Sequence, residues 1–139
     1  PILEKIAKEI FHLPTPSSAT KMKLINNLCL GSFMATLAEC TALAESCEIP
    51  KAKALEILGV GGGQSLVLKA KTQKLIDEDF SAHFSNNAIN KDLHLLQDLA
   101  YNLKLPLYSA CVPKELFSKM KMMGKGEEDF SSIYQLFKK

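Results

Sequence analysis

The chain has 139 residues, 47% hydrophobic and 23% charged, which fits one globular domain and excludes a disordered or low-complexity chain. Seventeen basic residues against 15 acidic ones leave a net charge of +2. All the bases are lysine, so there is no basic stripe and no arginine fork for reading bases or phosphates, and no nucleic-acid partner is expected.

Residues 1–13 read as a helix-then-strand scrap: Ile2, Leu3, Ile6 and Ala7 at helical spacing, then Ile10, Phe11 and Leu13 extended. Pro14 and Pro16 punctuate the joint, with Ser17 and Ser18 available as caps. One long helix is expected over 17–48. Its apolar residues cover nearly the whole circumference, which predicts a buried central post that packs against a second copy of the chain. Its longest uncharged stretch, Leu24 to Ala38, contains Asn26 and Asn27 and is short for a membrane span of about 20 residues, so no membrane is expected as a partner.

Pro50 opens a helix over 51–58. Gly59-Val60-Gly61-Gly62-Gly63 follows a helix, not a strand, and therefore predicts a helix end and turn in preference to a phosphate cradle. Further helices are expected over 64–76, 86–103 and 108–123, with Ser65 as a cap or a ligand contact. Asp129 caps a last short helix over 130–137. Six helices and no sheet predict an all-α bundle around the long helix.

Cys29, Cys40, Cys47 and Cys111 form no CxxC pair and predict reduced, buried, structural thiols, hence a cytoplasmic chain. His12, His83 and His94 lack metal spacing, so no metal site is indicated.

Chemistry is sought first among polar residues on the long helix. Lys23 and Asn27, four apart, share one face, with Asn26 adjacent. A lysine that moves protons near neutrality must be partly buried, because the free side chain holds its proton to about pH 10.4. The plain alternative is a surface lysine snorkelling past apolar neighbours. Asn90-Lys91-Asp92-Leu93 offers a group able to bind an anion or amide, or else a solvated helix face. The Lys114–Lys125 run with Met120, Met122 and Met123 reads as a partner-binding face or a core stripe.

Taken together, Lys21-Met22-Lys23-Leu24-Ile25-Asn26-Asn27 and Gly31-Ser32-Phe33-Met34-Ala35-Thr36-Leu37-Ala38-Glu39 resemble the central helix of the β-hydroxyacid dehydrogenase family. That family includes 3-hydroxyisobutyrate dehydrogenase, tartronate semialdehyde reductase and the glyoxylate/succinic semialdehyde reductases. Asp79-Phe80 with Phe84, Lys91-Asp92-Leu93, Leu105-Pro106-Leu107, and Gly126 to Asp129-Phe130-Ser131 are similar to its later landmarks, in order. The resemblance implies that residues 1–13 are the remnant of an N-terminal Rossmann domain and residues 14–139 an all-α substrate and dimerisation domain.

On the same resemblance, Lys23 is the catalytic lysine, Asn27 the substrate-binding amide and Lys91 the lysine that reaches the cofactor, with Phe84 and Asp92 lining the site. NAD or NADP, bound mainly by the upstream domain, exchanges hydride with a small 3-hydroxy acid or semialdehyde, and the protein is a homodimer or higher homo-oligomer. A fragment lacking the upstream domain would be inactive alone. Where the family has Gly-x-Gly before the lysine, this chain has Ser17 and Ala19. The alternative is a non-catalytic oligomerisation or binding module of the same fold.

Overall fold

A computed structural model describes residues 5–138. The elements are α1 (Pro16–Ser46), α2 (Lys51–Val60), α3 (Leu66–Asp77), α4 (Asn86–Asn102), α5 (Tyr108–Met122) and a closing 3-10 helix (Phe130–Leu136). Among the described residues there is no strand, only an isolated bridge between Ser85 and Asp129, so the expected all-α class holds. Of the scrap read at 1–13, residues 1–4 lie outside the described part. Residues 7–13 form neither helix nor strand, because nothing here pairs with an extended segment.

α1 is 31 residues, about 46 Å at 1.5 Å per residue. Thr15 precedes it in extended geometry and Pro16 sits in the first turn, where a missing N–H is harmless. Every other element packs on it. α4 and α5 approach at Gly31, where a Cβ would come within 3.2 Å of the Leu93 side chain. Met34, Ala38, Leu75, Ile89, Leu93, Phe117, Met120 and Ile133 fill the core between these helices.

The burial expected all round α1 is not found. Leu24, Met34, Ala35, Leu37, Ala38 and Ala42 are buried, but Ile25 is 46%, Phe33 50% and Leu43 66% exposed. The surrounding helices are too few to wrap a post this long, and they cover one side of it. By length and composition α1 is apolar enough to cross a membrane, which counting the uncharged stretch alone did not register; 44% of its most apolar window is buried inside the fold. The thiols also differ from expectation. All four are free, but Cys29, Cys47 and Cys111 are exposed and Cys40 is half-buried, because they occupy the uncovered side of α1, its C-terminal end and the outside of α5.

Pro113 lies inside α5 and cannot donate to the Ser109 carbonyl one turn back. The Ser32 hydroxyl on α1 donates to that carbonyl at 3.2 Å, which fixes the head of α5 against α1. The glycine run ends α2 and turns the chain, as expected, with Gly61 as C-cap. Ser65 caps α3 by accepting from the Leu68 N–H, and Asp129 caps the 3-10 helix by accepting from the Ser131 N–H. On α5, Phe117 and Met120 face the core, whereas Met122 is 89% and Met123 50% exposed.

Helices α1, α3 and α4 end on left-handed residues that are not glycine: Glu48, Glu78 and Lys104 (φ 62°, 52° and 56°). Only α5 uses glycine, Gly124 at φ 76°. The Leu105 N–H donates to the Ala100 carbonyl at 2.9 Å, so the turn at Lys104 is held by backbone bonds alone. Left-handed geometry costs an L-residue roughly 1–2 kcal/mol, and glycine gives part of that back in unfolded-state entropy. Lys104→Gly is therefore expected to raise stability by about 0.5–1 kcal/mol in urea denaturation.

Candidate functional site

The first third of α1 carries Lys23 and, one turn on, Asn27. α4 crosses this face and presents Asp92, a carboxylate only 2% exposed. An isolated carboxylate there would be costly, so its partners define the site. Asn27 Nδ2 donates to Asp92 Oδ2 at 2.7 Å. Lys23 Nζ lies 3.0 Å from the same oxygen, and Lys91 Nζ lies 3.7 Å from Asp92 Oδ1. One buried carboxylate thus gathers three donors from positions up to 68 residues apart in the chain.

Lys23 is not buried as expected. Its side chain is 59% exposed and Lys91 is 66% exposed, because the described residues place nothing over this end of α1 and α4. Each ammonium keeps donors free on the open side while Asp92 fixes its position from below. Both are suited to an anionic or carbonyl-bearing ligand arriving from solvent.

Beside Lys23 lies an open cleft of about 640 Å³, lined by Phe11, Leu13, Ala19, Met22, Lys23 and Asn26. Phe11 and Leu13 belong to the segment before α1, so that segment runs past the Lys23 end of the helix. Apolar walls beside an ammonium and amides are the composition of a small-molecule site. Lys23 and Asn26 were expected at a site from the sequence, whereas Phe11 and Leu13 were read as an extended segment and not as cleft walls; the available signal was two apolar side chains just ahead of Pro14.

Phe84 does not join this group. Its ring packs edge-on to Phe130 at 5.8 Å between centroids, and its N–H donates to Asp129 Oδ2 at 3.3 Å. It belongs to a second polar cluster that sequence reading missed. There Lys71 Nζ bonds Asp129 Oδ2 at 2.8 Å with both side chains buried, and Lys71 lies 4.9 Å from the Phe130 ring centroid. Asp129 also accepts from the Ser131 hydroxyl and from the N–H groups of Ser131 and His83. Lys74, also buried, holds the loop after α3 through the Ser81 carbonyl at 2.7 Å and Asp79. Hydrogen bonds from the Ser81 backbone, the Ser81 hydroxyl and Lys74 hold the Asp79 carboxyl at about 2. These groups satisfy one another and leave no reactive partner free.

Residues 17–137 match the family model described as NAD-binding of NADP-dependent 3-hydroxyisobutyrate dehydrogenase. The chain is 32% identical over 138 residues to 2-(hydroxymethyl)glutarate dehydrogenase of Eubacterium barkeri, covering 99% of this chain and 46% of that protein. It is 31% identical over 134 residues to cytokine-like nuclear factor N-PAC of Gallus gallus, covering 96% of this chain and 24% of that one. The fold superposes on the crystal structure of 3-hydroxyisobutyrate dehydrogenase from Salmonella typhimurium with a TM-score of 0.92 and 27% identity, covering 97% of this chain and 48% of the other. The chain therefore spans about half the length of the dehydrogenases it matches. With the family model covering nearly all of it, this chain belongs to the β-hydroxyacid dehydrogenase family, as a match to the NAD-binding region of NADP-dependent 3-hydroxyisobutyrate dehydrogenase.

Proposed function

We propose that this chain is the C-terminal helical domain of an NAD(P)-dependent dehydrogenase or reductase acting on a small 3-hydroxy acid or its semialdehyde. The observation that carries the reading is the buried Asp92 carboxylate holding Lys23 and Asn27 together beside an apolar cleft. Residues 1–13 are then the end of a Rossmann domain that docks at the Lys23 end of α1, binds most of the dinucleotide and shields the ammonium from water.

The residues present fit such a cofactor. Lys91, two-thirds exposed and tied to Asp92 only by a long contact, has donors to spare for a phosphate or carboxamide. The nicotinamide, when bound, supplies or accepts the hydride. Lys23 manages the proton: in reduction its ammonium gives a proton to the carbonyl oxygen as the carbon becomes a hydroxyl carbon, and in oxidation the neutral amine takes the hydroxyl proton. Asp92 orients the ammonium. Asn27, pinned through its Nδ2 to Asp92, keeps its amide oxygen for a substrate hydroxyl or the lysine. Phe11, Leu13 and Met22 give the cleft an apolar wall for the substrate's carbon chain, and the docked upstream domain closes it to water.

A turnover assay of the full-length protein with NADH or NADPH against short semialdehydes, and with NAD or NADP against 3-hydroxy acids, tests this reading. Lys91→Ala is expected to raise KM for the cofactor about tenfold with a smaller change in kcat. Absence of turnover with every pair would favour a non-catalytic module, a reading to which the N-PAC relative, which does not carry a dehydrogenase name, gives some weight.

A further inference from the structure

Two adjacent asparagines on α1 are placed in opposite settings. Asn27 is 6% exposed, and its Nδ2 is committed to Asp92. Asn26 is exposed and lines the cleft beside Lys23, and its side-chain amide has no hydrogen-bond partner among the described residues. At roughly 100° of helix rotation per residue, the two stand on either side of Lys23. Asn27 faces α4, whereas Asn26 shares the cleft side with Ala19 and Met22.

The cleft is short of donors. Phe11, Leu13, Ala19 and Met22 line it with apolar side chains that cannot donate a hydrogen bond. The Lys23 ammonium is held by Asp92 at 3.0 Å and, in the reading proposed above, serves the reacting oxygen. Asn26 is thus the lining side chain whose donors are uncommitted. A 3-hydroxy acid or its semialdehyde brings one further strong acceptor, its carboxylate, a single carbon away from the reacting one. Moved from water to a place between apolar walls, that carboxylate needs a donor to replace the water it loses. Side chains three apart on a helix have Cβ atoms about 5–6 Å from each other, so an ammonium and an amide set that way can hold the two ends of so short a molecule together.

We propose that Asn26 selects the substrate: its Nδ2 donates to the substrate carboxylate while Lys23 holds the reacting oxygen. The pair fixes which end of the molecule is presented for hydride transfer. The proposal rests on the dehydrogenase reading and deepens it by naming the group that recognises the acid. Asn27 has a different task, keeping Asp92 in place beneath Lys23. A neutral amide suits the Asn26 position, since a second ammonium there would repel Lys23 and a carboxylate would repel the substrate.

The test compares 3-hydroxypropanoate with 1-propanol in the full-length protein, two alcohols that differ by a carboxylate in place of a methyl group. Asn26→Ala is expected to raise KM for the acid at least tenfold with a smaller change in kcat, and to lower the kcat/KM preference for acid over alcohol at least tenfold. Asn26→Asp keeps the size and sets a like charge against the substrate, and is expected to lower that preference at least 30-fold. Asn26 is exposed, so both variants keep the fold, checked by circular dichroism. Equal losses for acid and alcohol, a fall in kcat with KM unchanged, or no change in Asn26→Ala overturns the proposal.

A second measurement is independent of turnover. Malonate carries the carboxylate and cannot exchange hydride, and calorimetric titration of the full-length protein with it is expected to give a Kd at least tenfold weaker for Asn26→Ala than for the wild type. A wild type that binds malonate no better than the variant overturns the proposal. Absence of turnover with the malonate difference intact removes the dehydrogenase reading and leaves Asn26 as the carboxylate-binding residue. Turnover without a malonate difference does the reverse.

Discussion

Lys23→Ala in the full-length protein is expected to lower kcat by about 10³-fold while the dinucleotide still binds, read by cofactor fluorescence titration alongside turnover. The size follows from the role proposed for the ammonium, which supplies the proton that balances hydride transfer and which no neighbour replaces: Lys91 lies on the side of the opposite Asp92 oxygen and serves the cofactor, and the Asn27 amide is not an acid near neutral pH. The loss should come without unfolding. Lys23 is more than half exposed, so its ion pair with Asp92 contributes well under 1 kcal/mol, and Asp92 keeps its bond from Asn27 when the lysine is removed. Lys23→Arg restores the charge but not a transferable proton, and is expected to remain as slow as the alanine variant. Turnover within tenfold of wild type for Lys23→Ala would remove the lysine from the mechanism.

The fold was largely legible because its punctuation is chemical. Pro16, Pro50, the glycine run at 59–63, Ser65 and Asp129 each mark a boundary that the structure places within three residues of expectation. Three other helix ends also fall within two residues of expectation, but their turn geometry was unmarked, since Glu48, Glu78 and Lys104 adopt left-handed geometry without glycine. The candidate site was legible in part. Lys23 and Asn27 stand one turn apart on a single helix, which spacing reveals. Their common partner Asp92 is 65 residues from Asn27, and a lone carboxylate flanked by Lys91 reads as a solvated face until the packing of α4 on α1 is known. The exposure of Lys23 and of Phe33 was illegible for a related reason. Composition shows that a helix is apolar all round, not how many neighbours the chain can fold back to cover it. Lys71 and Lys74 were lost to the opposite error: lysines three apart on a helix look like its wet face, and only the approach of Asp129 and of the Ser81 loop shows them to be buried.

That buried pair sets the largest stability effect. Asp129→Ala is expected to cost about 3–5 kcal/mol in urea denaturation, because it leaves the Lys71 ammonium buried without a counter-charge and frees the N–H groups of His83 and Ser131 together. Lys71→Met should cost less, since Asp129 keeps its donors from Ser131, His83 and Phe84. Lys71→Met combined with Asp129→Ala should recover part of the loss, the coupling expected when neither charge is stranded. The pH dependence has a definite sign. Burial alone would push the Asp129 carboxyl up, but the bonds from Lys71, Ser131 and His83 outweigh it and hold the carboxyl below its usual value of 3.8. A carboxyl depressed in the folded state contributes its full stability above the unfolded value and loses it as pH falls through the folded one. Wild-type stability should therefore hold through pH 5 as far as this group is concerned and decline below about 4, where Asp79 titrates in the same sense. Lys71→Met removes the strongest of the opposing bonds and moves the folded-state value up toward the unfolded one, so the decline below about pH 4 should be shallower than in the wild type. Equal acid profiles for wild type and Lys71→Met, or a loss under 1 kcal/mol for Asp129→Ala, would show that the pair contributes nothing to holding the end of α3, the Ser81 loop and the 3-10 helix together.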